Sequence, residues 1–466
     1  MPLSAPAASP VASVRLPATA VRAAAAVRST GGEVSRPAAL IRLIDAAIVG
    51  FMLLAAVSLF TLSGGMLSYW KIHYLTSGGN FYEKLHPATY FTVLAFGLMI
   101  IRNGDPVGDI VRMFAGARLL LFYLACWLCL LTQMIATGHP FTVIIDTFLL
   151  PLLLCLVIWR LTPEQRRPLL WALHLTILIN IVIGYHEYFT GHHLIPLILG
   201  DVIITGEWRA SALLGHPLTA SGVVAGYVLA LVFRPVLCPP IILRLPLITF
   251  SLTSLMAFGG RTSLVTTLFI IAGAAAFQVF RVLRGERVPL LAVAGAICLT
   301  FASAALIFLA LNTGVFDKML LRFSSDKGSA SARYAAVELL SRFDWHELVL
   351  GPDPVRATAL QNSSGLKAGI ENFWIAGMIQ FGFVSTVILT LGLAALFTEI
   401  LKRSGNAAWL VLLLIIIIAA SSVSFSSKNI QLAQFAVMIT LLLPRERAVA
   451  PVRQPRARLR RATAYA

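Results

Sequence analysis

Apolar runs of about 20 residues recur along this chain, and a run of that length fits a hydrocarbon layer of roughly 30 Å. Inside such a layer no water satisfies backbone N–H and C=O groups. Each run must therefore bond within itself, which makes it a helix. Composition agrees: 58% of the 466 residues are hydrophobic and 12% are charged, with mean hydropathy +0.85. That is about half the charged fraction of a soluble domain. The expected fold is an all-α polytopic membrane protein.

About twelve spans are expected from length and hydropathy. They run Leu43–Leu62, His86–Ile101, Leu119–Ala136, Phe141–Trp159, Leu169–Tyr185, Leu213–Phe233, Leu245–Phe258, Thr262–Phe280, Val288–Leu311, Glu371–Leu396, Ala407–Ala420 and Ile430–Leu443. The domain plan is a basic tail at 1–41, spans one to nine within 42–311, a large loop at 312–370, spans ten to twelve within 371–443, and a basic tail at 444–466. Sidedness follows from arginine. With the N-terminal tail inside, the segments holding Arg102/Arg112/Arg118, Arg160/Arg166/Arg167, Arg234/Arg244, Arg281/Arg284/Arg287, Lys402/Arg403 and the C-terminal tail all fall inside. That is the pattern of the positive-inside rule. Both termini are then cytoplasmic, and loops 64–85, 186–211, 259–261 and 312–370 are external.

Net charge is +17, of which residues 1–42 carry +4 and residues 444–466 carry +6. We read this as the inside bias plus attraction to anionic membrane lipids, not as a nucleic-acid surface. Residues 1–41 lack the continuous apolar core of a signal peptide and read as a disordered cytoplasmic tail. Cys126, Cys129, Cys155, Cys238 and Cys298 lie in or beside apolar segments, so they read as small packing residues; the CxxC spacing of the first two falls within a membrane helix. His186, Glu187, His192 and His193 match no metal-ligand spacing, and no cofactor is expected.

The external loops hold the unusual chemistry. Ser329 or Ser331 is expected to cap a helix over Ala332–Arg342, with Tyr334, Val337 and Leu340 as its apolar face and Leu350–Pro354 as a rigid turn. Glu371 and Asn372 sit at the mouth of the tenth span, where a carboxylate is costly unless paired or wet. Arg209, Arg261 and Arg333 are external arginines, against the inside bias. A guanidinium fork suits phosphate, and a carboxylate suits removal of a hydroxyl proton. His216 shapes the start of the sixth span. Trp345 and Trp374, like Tyr188 and Trp208, offer flat apolar faces to sugar rings, or anchor at the membrane interface. Asp45 and Asp146 are the main charges within spans, without an evident partner.

Three segments, in order, resemble the O-antigen ligase and O-antigen polymerase superfamily. They are Arg209-Ala210-Ser211-Ala212-Leu213-Leu214-Gly215-His216-Pro217, then Gly260-Arg261-Thr262-Ser263. Last comes the loop holding Ser331-Ala332-Arg333, Leu350-Gly351, Glu371-Asn372 and Gly382-Phe383. The resemblance implies a GT-C-like fold in a bacterial inner membrane, with the large loop periplasmic between helices nine and ten. It implies a metal-independent, inverting glycosyltransferase whose donor is an undecaprenyl-diphosphate-linked glycan. Arg209, Arg261 and Arg333 would face donor phosphates or the reducing sugar, and Glu371 would act as base. A flippase and a chain-length regulator are the implied partners. Where the ligases carry His-Asn, this chain has Glu371-Asn372, which leans towards a polymerase. The ligase, and a polysaccharide or lipid-linked transporter, stand as alternatives.

Overall fold

The computed structural model describes residues 38–76, 78–199, 202–204, 206–233, 240–285, 329–366, 369–422 and 427–445, with isolated positions between 287 and 321. In chain order the helices are α1 (Ala38–Thr61), α2 (Gly64–Tyr69), α3 (Pro87–Ile101), α4 (Pro106–Ala115), α5 (Arg118–Ala136), α6 (Thr142–Arg160), α7 (Pro163–Thr190), α8 (Pro217–Phe233), α9 (Ile241–Phe258), α10 (Arg261–Leu283), α11 (Ser329–Leu340), α12 (Trp345–Leu350), α13 (Pro354–Ser363), α14 (Phe373–Phe381), α15 (Phe383–Arg403), α16 (Ala408–Ser421) and α17 (Gln431–Leu442). Between α7 and α8, β1 (Leu197–Leu199) pairs antiparallel with β2 (Val202–Ile204), Ile198 opposite Ile203. Among the described residues six helices, α1, α5, α6, α7, α10 and α15, are long and apolar enough to cross a membrane, and α3, α8, α9, α16 and α17 are shorter apolar helices. The chain is a helical membrane protein. The expected ninth span, Val288–Leu311, and the first part of the expected large loop lie outside the described residues apart from the isolated positions. The two expected tails, up to residue 37 and from 446, lie outside them as well.

Burial sorts the helices. Every residue from Ala220 to Leu231 of α8 is buried, as is every residue of α17. A helix apolar all round belongs at a centre, and these two pack against each other there, with α6 and α10 alongside. The outer helices keep one apolar face exposed, as Val265, Leu268 and Phe269 of α10 do, which is a lipid-facing surface in a membrane.

Contacts divide the loops between two ends. At one end the Arg403 guanidinium lies 4.4 Å over the Trp159 ring and donates to the Gly116 carbonyl, and Ser404 bridges Pro444. Arg102 Nη2 donates to Asp45 at 2.7 Å, so Asp45, expected to lack a partner, has one. These are the loops that carry Arg102/Arg112/Arg118, Arg160/Arg166/Arg167 and Lys402/Arg403. At the other end Ser63 packs on Gly215, His86 and Lys428 meet Asp146, and Asn372 meets the end of α16.

Asp146 also departs from its expected isolation. It is fully buried, on a wide turn of α6 spanning Ile145–Leu149, an irregularity that recurs at functional sites. It accepts from Thr89 Oγ1 at 2.6 Å and from the His86 N–H at 3.1 Å. Lys428 Nζ stands 3.8 Å away, donates to the Tyr74 and Lys84 carbonyls, and sits 3.9 Å over the Tyr74 ring. The lysine lies 282 residues downstream, beyond the reach of local pattern.

The tenth span is the main correction. Glu371–Leu396 is not one helix: it breaks at Gly382, and α15 alone, from Phe383, is long and apolar enough to cross. Half-helix α14 belongs instead to the large loop. Its Ala376 and Ile379 share a small core with Ala336 and Leu339 of α11, Phe343, and Leu366 beyond α13. The α11 helix also starts earlier than expected and turns differently. Ala336, Leu339 and Phe343 are inward with the expected Leu340 packed partly buried against them, whereas Tyr334 is 78% and Val337 58% exposed. A three-residue spacing fits two adjacent stripes, and the second one won.

This folded lid meets the bundle through two glycines. The Gly351 and Gly382 backbones pack directly on each other, at φ +104° and +84°. Gln133 of α5 clamps the contact: its Nε2 donates to the Leu350 carbonyl at 2.8 Å and the Phe381 carbonyl at 2.7 Å, and its Oε1 accepts from Ser385. At φ +84° and ψ +162° Gly382 occupies a region nearly closed to other residues, at a cost on the order of 1–3 kcal/mol. Gly382→Ala is expected to undock the lid, and tryptic cleavage at Arg342 and Arg356 should rise about tenfold. An unchanged cleavage rate would mean the contact does not hold the lid.

Candidate functional site

Glu187, three residues before the end of α7, organises the first half of the site. The side chain is fully buried and accepts three backbone N–H groups: Leu194 at 2.9 Å, Ser211 at 2.8 Å and Ala212 at 2.9 Å. Those bonds hold Ala212 at φ +48°, an unusual value for a residue with a Cβ. Asn180, two turns deeper on α7, accepts from the Leu213 N–H at 3.0 Å and donates to the Phe60 carbonyl at 2.7 Å. The turn before α8 is thus fixed by two side chains of one helix. Glu187 was expected in the external loop 186–211; it lies on α7 and anchors that loop. Among the described residues no group of three His, Cys, Asp or Glu side chains stands together as a metal site.

Arg209 is brought to the turn between α9 and α10. Its stem lies across Gly259, where a Cβ would come within 2.7 Å of Arg209 Cγ, and the Ala210 N–H donates to the Ala257 carbonyl at 3.0 Å. The guanidinium is engaged: Nε donates to Glu207 Oε1 at 2.8 Å and Nη2 to Oε2 at 2.5 Å. Gly260 packs on Ser221 of α8, and Arg261 opens α10 from the same turn. His216 feels both members of the pair. Burial first, then the Arg209 charge, pushes its imidazole down to about 4, against the pull of Glu207. Its Nδ1 accepts from the Leu218 N–H at 3.2 Å, so at neutral pH the ring is neutral with Nε2 as the donor. A histidine with a lowered folded pKa contributes stability above its unfolded pKa of about 6.5. That stability is lost as pH falls from about 6.5 towards 4. The thermal midpoint should drop across that window, and His216→Asn should flatten the drop; an unaltered pH profile in the variant would exclude His216 as its source.

The second half is the lid. Arg333 of α11 places Nε 3.5 Å from Glu371 Oε2. Both are partly exposed. Asn372 caps α14, its Oδ1 accepting from the Trp374 and Ile375 N–H groups at 3.0 and 3.1 Å, and its Nδ2 donating to the Ala420 carbonyl at 3.3 Å. Its carboxamide therefore fastens the lid to the end of α16. Phe373 and Trp374 turn down into an apolar cavity of about 160 Å³, shared with Phe148, Leu393, Phe397 and Ile416. Trp374 thus faces apolar side chains rather than the lid's polar rim. Trp345 opens α12 and is 79% exposed.

The candidate residues therefore form two groups at one end of the bundle: Arg209, His216 and Arg261 around the α8–α10 turns, and Arg333, Glu371 and Asn372 on the lid. Both flank α16, against which α10 packs and whose last turn Asn372 holds. This is also the end away from the arginine-bearing loops. No protein-family model and no curated protein matches the chain.

Proposed function

We propose that the chain is a polysaccharide polymerase, an inverting glycosyltransferase that joins undecaprenyl-diphosphate-linked repeat units at the periplasmic face of a bacterial inner membrane. The proposal includes twelve spans, cytoplasmic termini and a GT-C-like fold. The observation that carries it is the contact between Arg333 and Glu371. Two motif residues 38 positions apart meet at the rim of a folded lid, a base candidate beside an anion binder. Glu371 takes the proton of an acceptor sugar hydroxyl. That oxygen forms a bond to the anomeric carbon as the bond from that carbon to the diphosphate oxygen breaks, and the electron pair leaves with undecaprenyl diphosphate. Arg333, Arg261 and Arg209 meet the charge developing there. The apolar cavity beneath Asn372 suits part of an isoprenoid chain.

A second reading, a transporter of lipid-linked glycans, draws on the Asp146–Lys428 pair, because buried charges within a membrane bundle often line a translocation path. Size separation of the lipid-linked and surface glycans of a deletion strain decides. Loss of long chains with accumulation of single repeat units supports the polymerase. Long lipid-linked chains beside an unmodified lipid A–core point to the ligase, and an unchanged profile removes both enzymes.

A further inference from the structure

Resting on the reading that Arg209 meets donor phosphate, we infer that Glu207 is a resident counter-ion that a diphosphate must displace, which makes it a specificity determinant of the site. The geometry is that of the expected ligand. Two carboxylate oxygens occupy two nitrogens of the guanidinium fork at 2.8 and 2.5 Å, as two phosphate oxygens would. Both side chains are 14% exposed, so an arginine there needs a charged partner at all times.

The two partners are anchored in different ways. Arg209 is clamped by its stem over Gly259 and by the Ala210–Ala257 hydrogen bond. Glu207 follows Gly206, which sits at φ +82° with nothing within 4 Å of where a Cβ would be. The Glu207 carbonyl is held by His193 Nε2 at 2.6 Å, so on exchange only the Glu207 side chain swings into water, and it gives up the Arg209 N–H at 3.2 Å together with the guanidinium. Only a ligand that outcompetes a carboxylate displaces it. A diphosphate, with more charge and more acceptor oxygens, does so; a neutral glycan or a free lipid alcohol does not.

The test titrates purified full-length protein in nanodiscs with undecaprenyl diphosphate, read by the ligand-dependent rise in melting temperature, with undecaprenol as neutral control. Glu207→Gln is expected to lower the half-saturating diphosphate concentration on the order of tenfold without changing the response to undecaprenol. Arg209→Gln is expected to lose the diphosphate response. Glu207→Asp, one methylene shorter, should also bind more tightly and serves if Glu207→Gln fails to fold. Diphosphate binding to the wild type with unchanged or weaker binding to both Glu207 variants overturns the inference alone, since Glu207 would then be a positioning partner. Absence of wild-type binding removes the inference together with the proposed function.

Discussion

Polymer growth is expected to stop when Glu371 is replaced by glutamine, with the protein still at normal abundance in the membrane. The substitution keeps shape and removes the proton acceptor. A positioned general base contributes roughly 10²–10⁴ in rate, so a loss of that size leaves single repeat units on the carrier. Folding should not suffer. The Arg333 contact is long, at 3.5 Å, and partly exposed on both sides, and such pairs are worth about 0–1 kcal/mol. Arg333→Lys tests the partner: it keeps the charge and loses the planar fork, so a partial loss is expected. Glycan ladders and membrane immunoblots from the same cells provide the measurement. A normal ladder from Glu371→Gln would remove Glu371 from the reaction.

Asp146→Leu is expected to be the most destabilising single change of those considered. It strands the Lys428 ammonium and leaves Thr89 Oγ1 and the His86 N–H without their acceptor. Breaking a buried pair from one side costs about 3–5 kcal/mol. Lys428→Met should cost less, because Asp146 keeps the Thr89 and His86 bonds. Burial holds the Lys428 ammonium down at about 8 even with Asp146 beside it, so desolvation outweighs attraction. Replacing both members with apolar residues should therefore recover the part of the loss that comes from the stranded ammonium, while Thr89 Oγ1 and the His86 N–H stay without their acceptor. Melting temperatures of the two single variants and the double variant give the cycle. Additive losses in the double variant would mean the two groups act separately.

Much of the membrane architecture was legible because lipid leaves few solutions. Long apolar runs had to be helices, and three of the arginine-bearing loops meet where Arg403 reaches Trp159 and Gly116. The Leu350-Gly351 and Gly382-Phe383 segments were also marked in the sequence, and the structure packs the two glycines on each other. The break between α14 and α15 was not legible. Residues 373–396 are almost uniformly apolar, and nothing in hydropathy separates lid core from lipid-facing surface. The Asp146–Lys428 pair, Gln133 and Glu187 were missed for another reason: their partners lie far along the chain or are backbone groups, which leave no pattern in side-chain spacing.

The break at Gly382 turns α14 into a short lever. Its nine residues span about 13 Å, with the pivot at one end and the proposed base just past the other. A tilt of roughly 10° about that pivot displaces Glu371 by about 2–3 Å by the same helix geometry. Reacting atoms must come within about 3–3.5 Å, so such a swing separates an aligned base from an idle one. Two fixings thus set the mechanical tolerance of the chemistry: Gln133 at the Gly382 joint, and the Asn372–Ala420 hydrogen bond beside the base at the far end.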